Sequence, residues 1–453
     1  MKTIVLLLAL APFEAWPQTP APDPISLKDA VRIALTTHKA IASSGTAAQA
    51  AETRIAQARS GNLPRIDYSE SWTRSDNPVF VFSSLLTQHQ FGPGNFQIGP
   101  LNRPEFLNNF QSQLSAEQKI YDGGRTKIAV RSAELGRDIA QEDTRRTRLE
   151  TIAAVVRTYQ DALLAVEQVR ATAQALRSAR ADLDRAISIR DAGMSTDADV
   201  LSIRVHLAAV QELGIRREAD LSVARAALND AIGLPLDTSH TLTTSLSALR
   251  LPEVKTSAYE DQAVGERSEL RQIKLGIALA RNQTAAAQSA LLPEVSAHAA
   301  FEADRQRFYD RGGANWLLSI GLRWNLFDGH ANRSRIAEST LIAHKAELDQ
   351  DRAKSAIRLQ VRRAYADLLA ADQRIVVAKA SITQAEESLR ITQDRYQAGL
   401  GNITDLLRTE NALLETRTRH LAAIHDQRVA AAMLELAAGT LAPESEILNE
   451  GTK

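Results

Sequence analysis

The chain of 453 residues contains no cysteine. This absence excludes disulfide bonds, catalysis by a thiol and a lipid anchor on an N-terminal cysteine. A charge excess of either sign is also missing, because 54 lysines and arginines balance 54 aspartates and glutamates. Since the chain has neither a net positive charge nor a long basic run, a nucleic acid is not expected as a partner.

Long apolar runs are missing from all but the first residues. The segment from Ile4 to Ala11 is apolar, follows Lys2 and ends before Pro12, which is typical of a secretory signal. We therefore predict a signal peptide and a disordered start over residues 1–24, although an ordinary buried segment has the same composition, and the cleavage site stays open. No later segment is apolar enough for a transmembrane helix, so any membrane insertion must depend on strands.

Signals of catalysis and of cofactor binding are few as well. The nine histidines are scattered, and His420 and His425 are not spaced to share one helical face. Glycine-rich motifs that bind phosphate are missing. We therefore predict no enzyme activity, no cofactor and no metal site.

Two related halves make up most of the chain. The segment AGMSTDADVL at Ala192 recurs as AGLGNITDLL at Ala398, and YDGG recurs as FDGH at the same offset. The copies align without a gap from Asp122 to Gly233, which indicates a duplication. The first copy is longer upstream of this segment, and we assign the extra residues to an exposed loop from Asn77 to Asn109.

Apolar residues recur at three- and four-residue spacing in both halves, which predicts amphipathic helices. One helix runs from Gly124 to Gly193 and its counterpart from Gly329 to Gly399, and each is about 100 Å long at the α-helical rise. Shorter return helices follow and end near Gly233 and Gly439. One further helix completes each return, and these two helices are predicted at Leu27 to Asn62 and at Gln262 to Leu291.

Four windows between the helices alternate with a period of two, which predicts strands. In the clearest window the apolar positions are predicted to face lipid, and they are Leu318, Ile320, Leu322, Trp324 and Leu326. The other windows surround Tyr68, Leu114 and Phe301, although Glu70 falls on the apolar face. Soluble hairpins packed on helices would show the same alternation. Because four strands cannot close a barrel, membrane insertion would require several chains.

A hairpin, a long helix, a glycine-containing tip and a split return helix occur twice, with LPRI and LPEV before the hairpins and YDGG and FDGH after them. In these features the sequence resembles the TolC-like outer-membrane efflux proteins over roughly residues 25 to 440. The resemblance implies a mainly α fold with a small β part, in which duplicated long-helix hairpins form an α-barrel. It also implies that three chains, with four strands from each, form a twelve-stranded membrane β-barrel.

The resemblance divides the chain into two repeats. The first, residues 25–233, has its hairpin at 64–121 and its tip at 192–196. The second, residues 259–440, has its hairpin at 293–327 and its tip at 398–402. An equatorial connector at 234–258 joins them, and a C-terminal tail covers 441–453.

The function that the resemblance implies is the passive exit duct of a tripartite efflux pump or of type I secretion. The implied location is the outer membrane of a Gram-negative bacterium, with most of the chain in the periplasm. The implied partners are two further copies in a homotrimer, a periplasmic adaptor, an inner-membrane transporter and outer-membrane lipid. The alternative is an exported coiled-coil scaffold or adaptor whose hairpins are soluble. The cargo and the identity of the pump and adaptor stay open.

The two tips are the regions that the resemblance assigns to contact with the adaptor. The residues concerned are Ala192, Gly193, Met194, Ala398, Gly399 and Leu400. A glycine that ends a helix also explains them as simple turns, so both interpretations stand.

A periplasmic gate is also implied by the resemblance, and it consists of Asp199, Tyr396, Asp405 and Arg408. Threefold symmetry would turn Asp405 into a ring of carboxylates, and Tyr396 would hydrogen-bond Asp199. The sequence departs from the family pattern at Gly401, where an arginine link is found, and at Arg408, where a second acidic residue is found. The constriction would then carry mixed charge.

The gate aspartates have a simpler explanation as helix caps. Thr196 precedes Asp199 by three residues, and Asn402 precedes Asp405 by three, which is the spacing of a capping pair worth about 1 kcal/mol. The sequence therefore leaves open whether these aspartates gate a pore or only begin a helix.

Overall fold

The computed structural model describes residues 23–251 and 254–448. Residues 1–22 of the predicted signal peptide and disordered start lie outside the described residues. Residues 23 and 24 belong to a strand, so the prediction of a disordered start is wrong for these two residues. The helices are α1 (Leu27–Thr37), α2 (Lys39–Arg59), α3 (Pro78–Thr87), α4 (Ile98–Asn102), α5 (Arg125–Asp191), α6 (Asp197–Ile232), α7 (Thr256–Glu266), α8 (Ser268–Ser289), α9 (Ala331–Gln397) and α10 (Ile403–Ala438). The strands are β1 (Asp23–Ile25), β2 (Arg65–Ser75), β3 (Leu107–Tyr121), β4 (His240–Leu242), β5 (Glu294–Arg305) and β6 (Gly313–Arg323).

The predicted duplication is confirmed by the lengths of the helices. Helices α5 and α9 have 67 residues each, and α6 and α10 have 36 each. The Asp-Gly motif explains where the long helices begin. Asp122 accepts hydrogen bonds from the backbone N–H groups of Gly124 and Thr126, at 2.9 and 2.7 Å, and Asp328 accepts one from Asn332 at 2.9 Å. These bonds satisfy N–H groups that have no partner within the helix.

The helix that completes each return is broken in two, which corrects the prediction of single helices. The first break is at His38, between α1 and α2, and the second is at Arg267, between α7 and α8. The return helices end against these breaks at Gly233 and Gly439, both with left-handed backbone, where a Cβ would lie 3.1 Å from backbone atoms of His38 and Arg267 respectively. Glycine is required there because a side chain has neither the space nor the backbone conformation.

A tyrosine in the middle of each long helix holds the neighbouring segment. The buried Tyr159 of α5 donates to the carbonyl of Ile25 in β1 at 2.9 Å, and its equivalent Tyr365 in α9 donates to Val254 at 3.1 Å. Strand β1 pairs in parallel with β4, which lies in the predicted connector at 234–258. The connector is thus fastened to the helices near the middle of their length.

The predicted C-terminal tail is part of the core as far as residue 448. Leu441 and Leu448 are buried in the same apolar cluster as Tyr159, and this cluster is formed mainly by α1, α5 and α6. A second cluster joins α7, α8, α9 and α10, and a third lies between the helices at the tips. None of the described helices combines the length and the apolar character that a bilayer span requires.

Strands β2, β3, β5 and β6 form one antiparallel sheet in that order, so the two predicted hairpins pair through β3 and β5. Strand β3 begins at Leu107, which makes the loop after β2 slightly shorter than the predicted 77–109. Strand β6 ends at Arg323 opposite Glu294, the first residue of β5. Trp324 and Leu326 therefore lie beyond the strand, contrary to prediction, because no partner strand remains beside them.

Candidate functional site: the sheet surface and the helical tips

One face of the sheet is apolar across all four strands. Tyr68, Leu114, Phe301 and Trp316 lie in register from β2 to β6, and Trp316 is 79% exposed. The predicted lipid-facing residues of β6 lie on this face and are exposed, namely Leu318, Ile320 and Leu322. An apolar surface of this size that no described residue covers indicates contact with lipid or another molecule.

The opposite face of the sheet is mostly polar, although it also carries the exposed Leu317 of β6. Successive strand side chains point to opposite faces, so Ser319 and Asn315 of β6 lie on the side away from Leu318. The neighbouring strands contribute further polar side chains to this face, among them Asn109, Gln113, Glu302 and Asp304. The alternation predicted from sequence is thus a division into an apolar and a polar surface.

Glu70, the exception on the apolar face, is paired with a cation. Its carboxylate lies 3.0 Å from a guanidinium nitrogen of Arg305 in β5, and it also accepts from Tyr68 at 2.7 Å and from Ser112. Arg305 in addition donates to Ser112 at 2.7 Å. Because both charges are neutralised across three strands, the carboxylate costs the apolar face less than an isolated charge would.

The loop between β2 and β3 folds over the polar face. Gln88, at the end of α3, is 2% exposed and donates to Asn109 at 2.8 Å, and Asn109 donates to the buried Asp304 at 2.5 Å. Asn315 also donates to the carbonyl of Thr87, at 3.1 Å. Because this network joins residues far apart in the sequence, no local sequence pattern predicted it.

The predicted tips are tight turns with exposed side chains. Gly193 and Gly399 have left-handed backbone, with φ of 77° and 69°, and the next residue bonds back to the helix, from Met194 to Ile189 at 3.0 Å. These are the features of a glycine-ended helix. Met194 and Leu400 are 75% and 72% exposed, so each tip presents an apolar side chain beside small residues, Ala192 and Ala398.

Both predicted caps are present. Thr196 and Asp199 bond reciprocally, with the Asp199 amide 3.2 Å from the threonine hydroxyl and the Thr196 amide 3.1 Å from the aspartate. The Asp405 amide donates to Asn402 at 2.8 Å. The hydrogen bonds from Thr196 and Ser195 lower the pKa of Asp199, so it is ionised near neutral pH. The capping interpretation is confirmed.

The predicted bond between Tyr396 and Asp199 is not formed. Among the residues that the structure describes, the side chain of Asp199 bonds to Ser195 and Thr196 and not to Tyr396. Tyr396 is nonetheless a neighbour of Asp199. Burial of the tyrosine, followed by the charge of Asp199, raises the pKa of Tyr396. Asp405 is 3.2 Å from Arg408 in an exposed ion pair one turn along α10, which is the mixed-charge pair expected from sequence.

Potential metal ligands are not clustered among the described residues. In the part of the chain that the structure describes, no group of three or more His, Asp or Glu side chains is placed to hold a metal ion. The exposed apolar face of the sheet and the exposed tips are the candidate functional surfaces.

The sequence matches a family of outer membrane proteins and several of its relatives. The model of a family described as outer membrane efflux protein matches residues 30–234 and 260–440. The chain is 24% identical to the pyoverdine export outer membrane protein OpmQ of Pseudomonas putida over 360 residues, which are 75% of this chain and 74% of that protein. It is also 24% identical to the alkaline protease secretion protein AprF of Pseudomonas aeruginosa over 393 residues, 84% of this chain and 78% of that protein.

Solved structures share the fold. The outer membrane channel CmeC of Campylobacter jejuni superposes with a TM-score of 0.77, over 98% of this chain and 95% of that chain, at 15% identity. The mainly helical fold with few strands is therefore that of the TolC-like channels, as the sequence predicted.

The two faces of β6 should respond differently to charge. We expect Leu318→Arg, in the middle of the strand, to destabilise the membrane-inserted protein by about 2–4 kcal/mol, because it places a cation in lipid. Leu322→Arg should cost less, about 0–1 kcal/mol, because it lies one residue from the end of β6 and so nearer the interface. Ser319→Arg on the polar face is the matched control and should be tolerated. Refolding into lipid vesicles at increasing urea measures these differences, and equal effects at Leu318 and Ser319 would refute the assignment of faces.

Proposed function

Because the chain belongs to the outer membrane efflux protein family and is the outer-membrane exit channel of an efflux or secretion system, we propose that three copies close into a single pore. The observation that carries this proposal is the open sheet. Strand β2 pairs only with β3, and β6 only with β5, among the described residues. Both outer edges therefore carry backbone groups that need partners in lipid.

A closed ring of three sheets satisfies these edges. Four strands are too few for a barrel, whose smallest common form has about eight, whereas three copies supply twelve. Strand β6 of one copy would pair with β2 of the next. The apolar face would then contact lipid, and the polar face would line the pore.

The same ring extends into a helical tunnel. Each copy offers four columns of helix: α5, α9, α6 followed by α2, and α10 followed by α8. Apolar side chains on α6 and α9 stay exposed in the single chain, among them Val205, Val223, Leu341 and Val376. Neighbouring copies would cover them, which adds an apolar contribution to the assembly.

The oligomer is the direct test. In detergent, the purified protein should have the mass of three chains, migrate as an oligomer until it is heated, and conduct ions in planar bilayers. A monomer that salt or osmotic shock releases from the cell envelope would instead support the soluble scaffold and refute the pore.

We further propose that the tips contact a periplasmic adaptor, which an inner-membrane transporter supplies with cargo. The exposed Met194 and Leu400 provide apolar contact, while the small residues at Ala192, Gly193, Ala398 and Gly399 allow a partner helix to approach closely. Since the channel contains no nucleotide-binding motif, the energy would come from the transporter.

Crosslinking can locate this contact, because the chain has no cysteine of its own. Met194→Cys and Leu400→Cys should form crosslinks with the adaptor in cells through a short bifunctional maleimide. Glu212→Cys, whose side chain is 71% exposed and lies midway along α6, is the control and should not. Efficient crosslinking at residue 212 with none at the tips would place the adaptor elsewhere.

The gate is proposed at the same end of the tunnel. Asp405 and Arg408 of three copies would form a ring of ion pairs on α10, and Tyr396 with Asp199 would lie between neighbouring hairpins. Partial neutralisation by Arg408 would make this ring a weaker site for cations than a purely acidic one.

Cation block separates a gate from a cap. In planar bilayers, Asp405→Ala should weaken block by a multivalent cation about tenfold, the change that corresponds to about 1.4 kcal/mol of lost attraction. Arg408→Ala should strengthen the block, whereas Asp197→Ala, the exposed control on α6, should not change it. If Asp405→Ala lowers only the thermal stability and leaves block unchanged, Asp405 is a cap residue alone.

The names of the relatives suggest that this type of channel serves different cargoes. One relative is named for pyoverdine export and another for alkaline protease secretion. We propose that the polar lining selects by size and charge, and that the transporter and adaptor choose the cargo.

A further inference from the structure

Three titratable side chains from three helices meet inside the protein near the tips. Asp182 lies on α5, His206 on α6 and Glu410 on α10, and their side chains are 5%, 10% and 9% exposed. Each lies about one helical turn from the apolar cluster that holds the tips together, which includes Ala186 and Leu406. The acidic pair therefore joins the first helical hairpin to the second.

The hydrogen bonds of the two carboxylates are incomplete. One oxygen of Glu410 lies 3.3 Å from the ring nitrogen Nε2 of His206, and one oxygen of Asp182 lies 3.4 Å from a guanidinium nitrogen of Arg185. The other two oxygens, Asp182 Oδ2 and Glu410 Oε1, are buried and have no donor among the described residues. A buried carboxylate oxygen without a donor is costly, and a proton on one of the two acids removes the deficit.

We propose that Asp182 and Glu410 share a proton that latches α5 to α10, and that loss of this proton loosens the two tips from each other. With the proton present, one carboxyl donates a hydrogen bond to the other across the hairpins. Without it, two buried negative charges face each other. The latch acts within one chain and so does not depend on the proposed pore or on the proposed gate residues.

The electrostatic surroundings support the shared proton. Burial, followed by the interaction with Glu410, raises the pKa of Asp182 to about 8, against only a partial offset by Arg185. Burial alone would raise the pKa of Glu410 too, but hydrogen bonds from His206 and Asp182 lower it. Among the described residues, Tyr396 of α9 is a further titratable neighbour of Asp182. The proton therefore resides on Asp182, and Glu410 is the acceptor.

The direction of the pH effect follows from linkage. An exposed aspartate has a pKa near 3.9, so between about pH 4 and pH 8 the packed cluster holds a proton that an opened, hydrated cluster releases. The ratio of packed to opened tips should fall by up to about tenfold for each pH unit in this window. Below pH 4 the protonated Asp182 stabilises the packed tips fully, and above pH 8 this stabilisation is absent.

Distances between spin labels can measure this ratio. Met194→Cys and Leu400→Cys carry one nitroxide on each tip of the full-length protein in lipid, and labelled chains are diluted with unlabelled chains so that only distances within a chain are recorded. We expect the distribution to shift toward longer distances as the pH rises from 5 to 8 and to stay constant from 8 to 9.

Variants test whether the change of these distances with pH comes from Asp182 and Glu410. Asp182→Asn cannot ionise but keeps a donor for Glu410, so its distances should not change between pH 5 and pH 8. Asp184→Asn, an exposed acid on the same helix, should behave as the wild type. If Asp182→Asn does not assemble, Glu410→Gln should flatten the response in the same way. A wild type without pH dependence, or an unchanged slope in Asp182→Asn or Glu410→Gln, would overturn the proposal.

Discussion

A backbone N–H or C=O group in hydrocarbon has no water to bond with, and the four-stranded sheet presents such groups along both outer edges, β2 and β6. Most of the architecture depends on this constraint. In the assembly that we propose, further copies of the chain pair with these edges, because they have the same shape and twist. The apolar face of the sheet then contacts lipid, and the polar face lines the pore. Even Glu70 conforms, since Arg305 neutralises it within the apolar face.

The two long helices, α5 and α9, are each continuous over about 100 Å. Their ends are defined by short-range chemistry that occurs in both halves: Asp122 and Asp328 cap the starts, and Gly193 and Gly399 end the rods. The middle is held by Tyr159 and its equivalent, which bond to the surrounding backbone. Duplication thus supplied two similar rods with the same means of ending and anchoring them.

Carboxylates are treated in opposite ways at two depths near the tips. At the very tip, the carboxylate of Asp199 accepts local hydrogen bonds that favour its ionised form. About two helical turns deeper, Asp182 is buried against a second acid, and burial favours its neutral form. The first arrangement stabilises one helix start, whereas the second joins two hairpins. Loss of the proton that we propose for Asp182 and Glu410 therefore changes the contact between the two hairpins and not the structure of either hairpin.

Patterns in the sequence determined the two repeats, the long helices, the four strands and the caps. The helices, strands and caps depend on residues a few positions apart, and the repeats show as one pattern that recurs at a fixed offset. Hydrophobic periodicity and capping pairs carry that information directly. The tertiary structure decided the breaks at His38 and Arg267, since they arise where the ends of α6 and α10 meet distant backbone. It also decided that β6 stops before Trp324, that Gln88 folds onto Asp304 through Asn109, and that Asp182 meets Glu410. These features depend on contacts between residues far apart in the chain, and the spacing of residues in a sequence does not record such contacts.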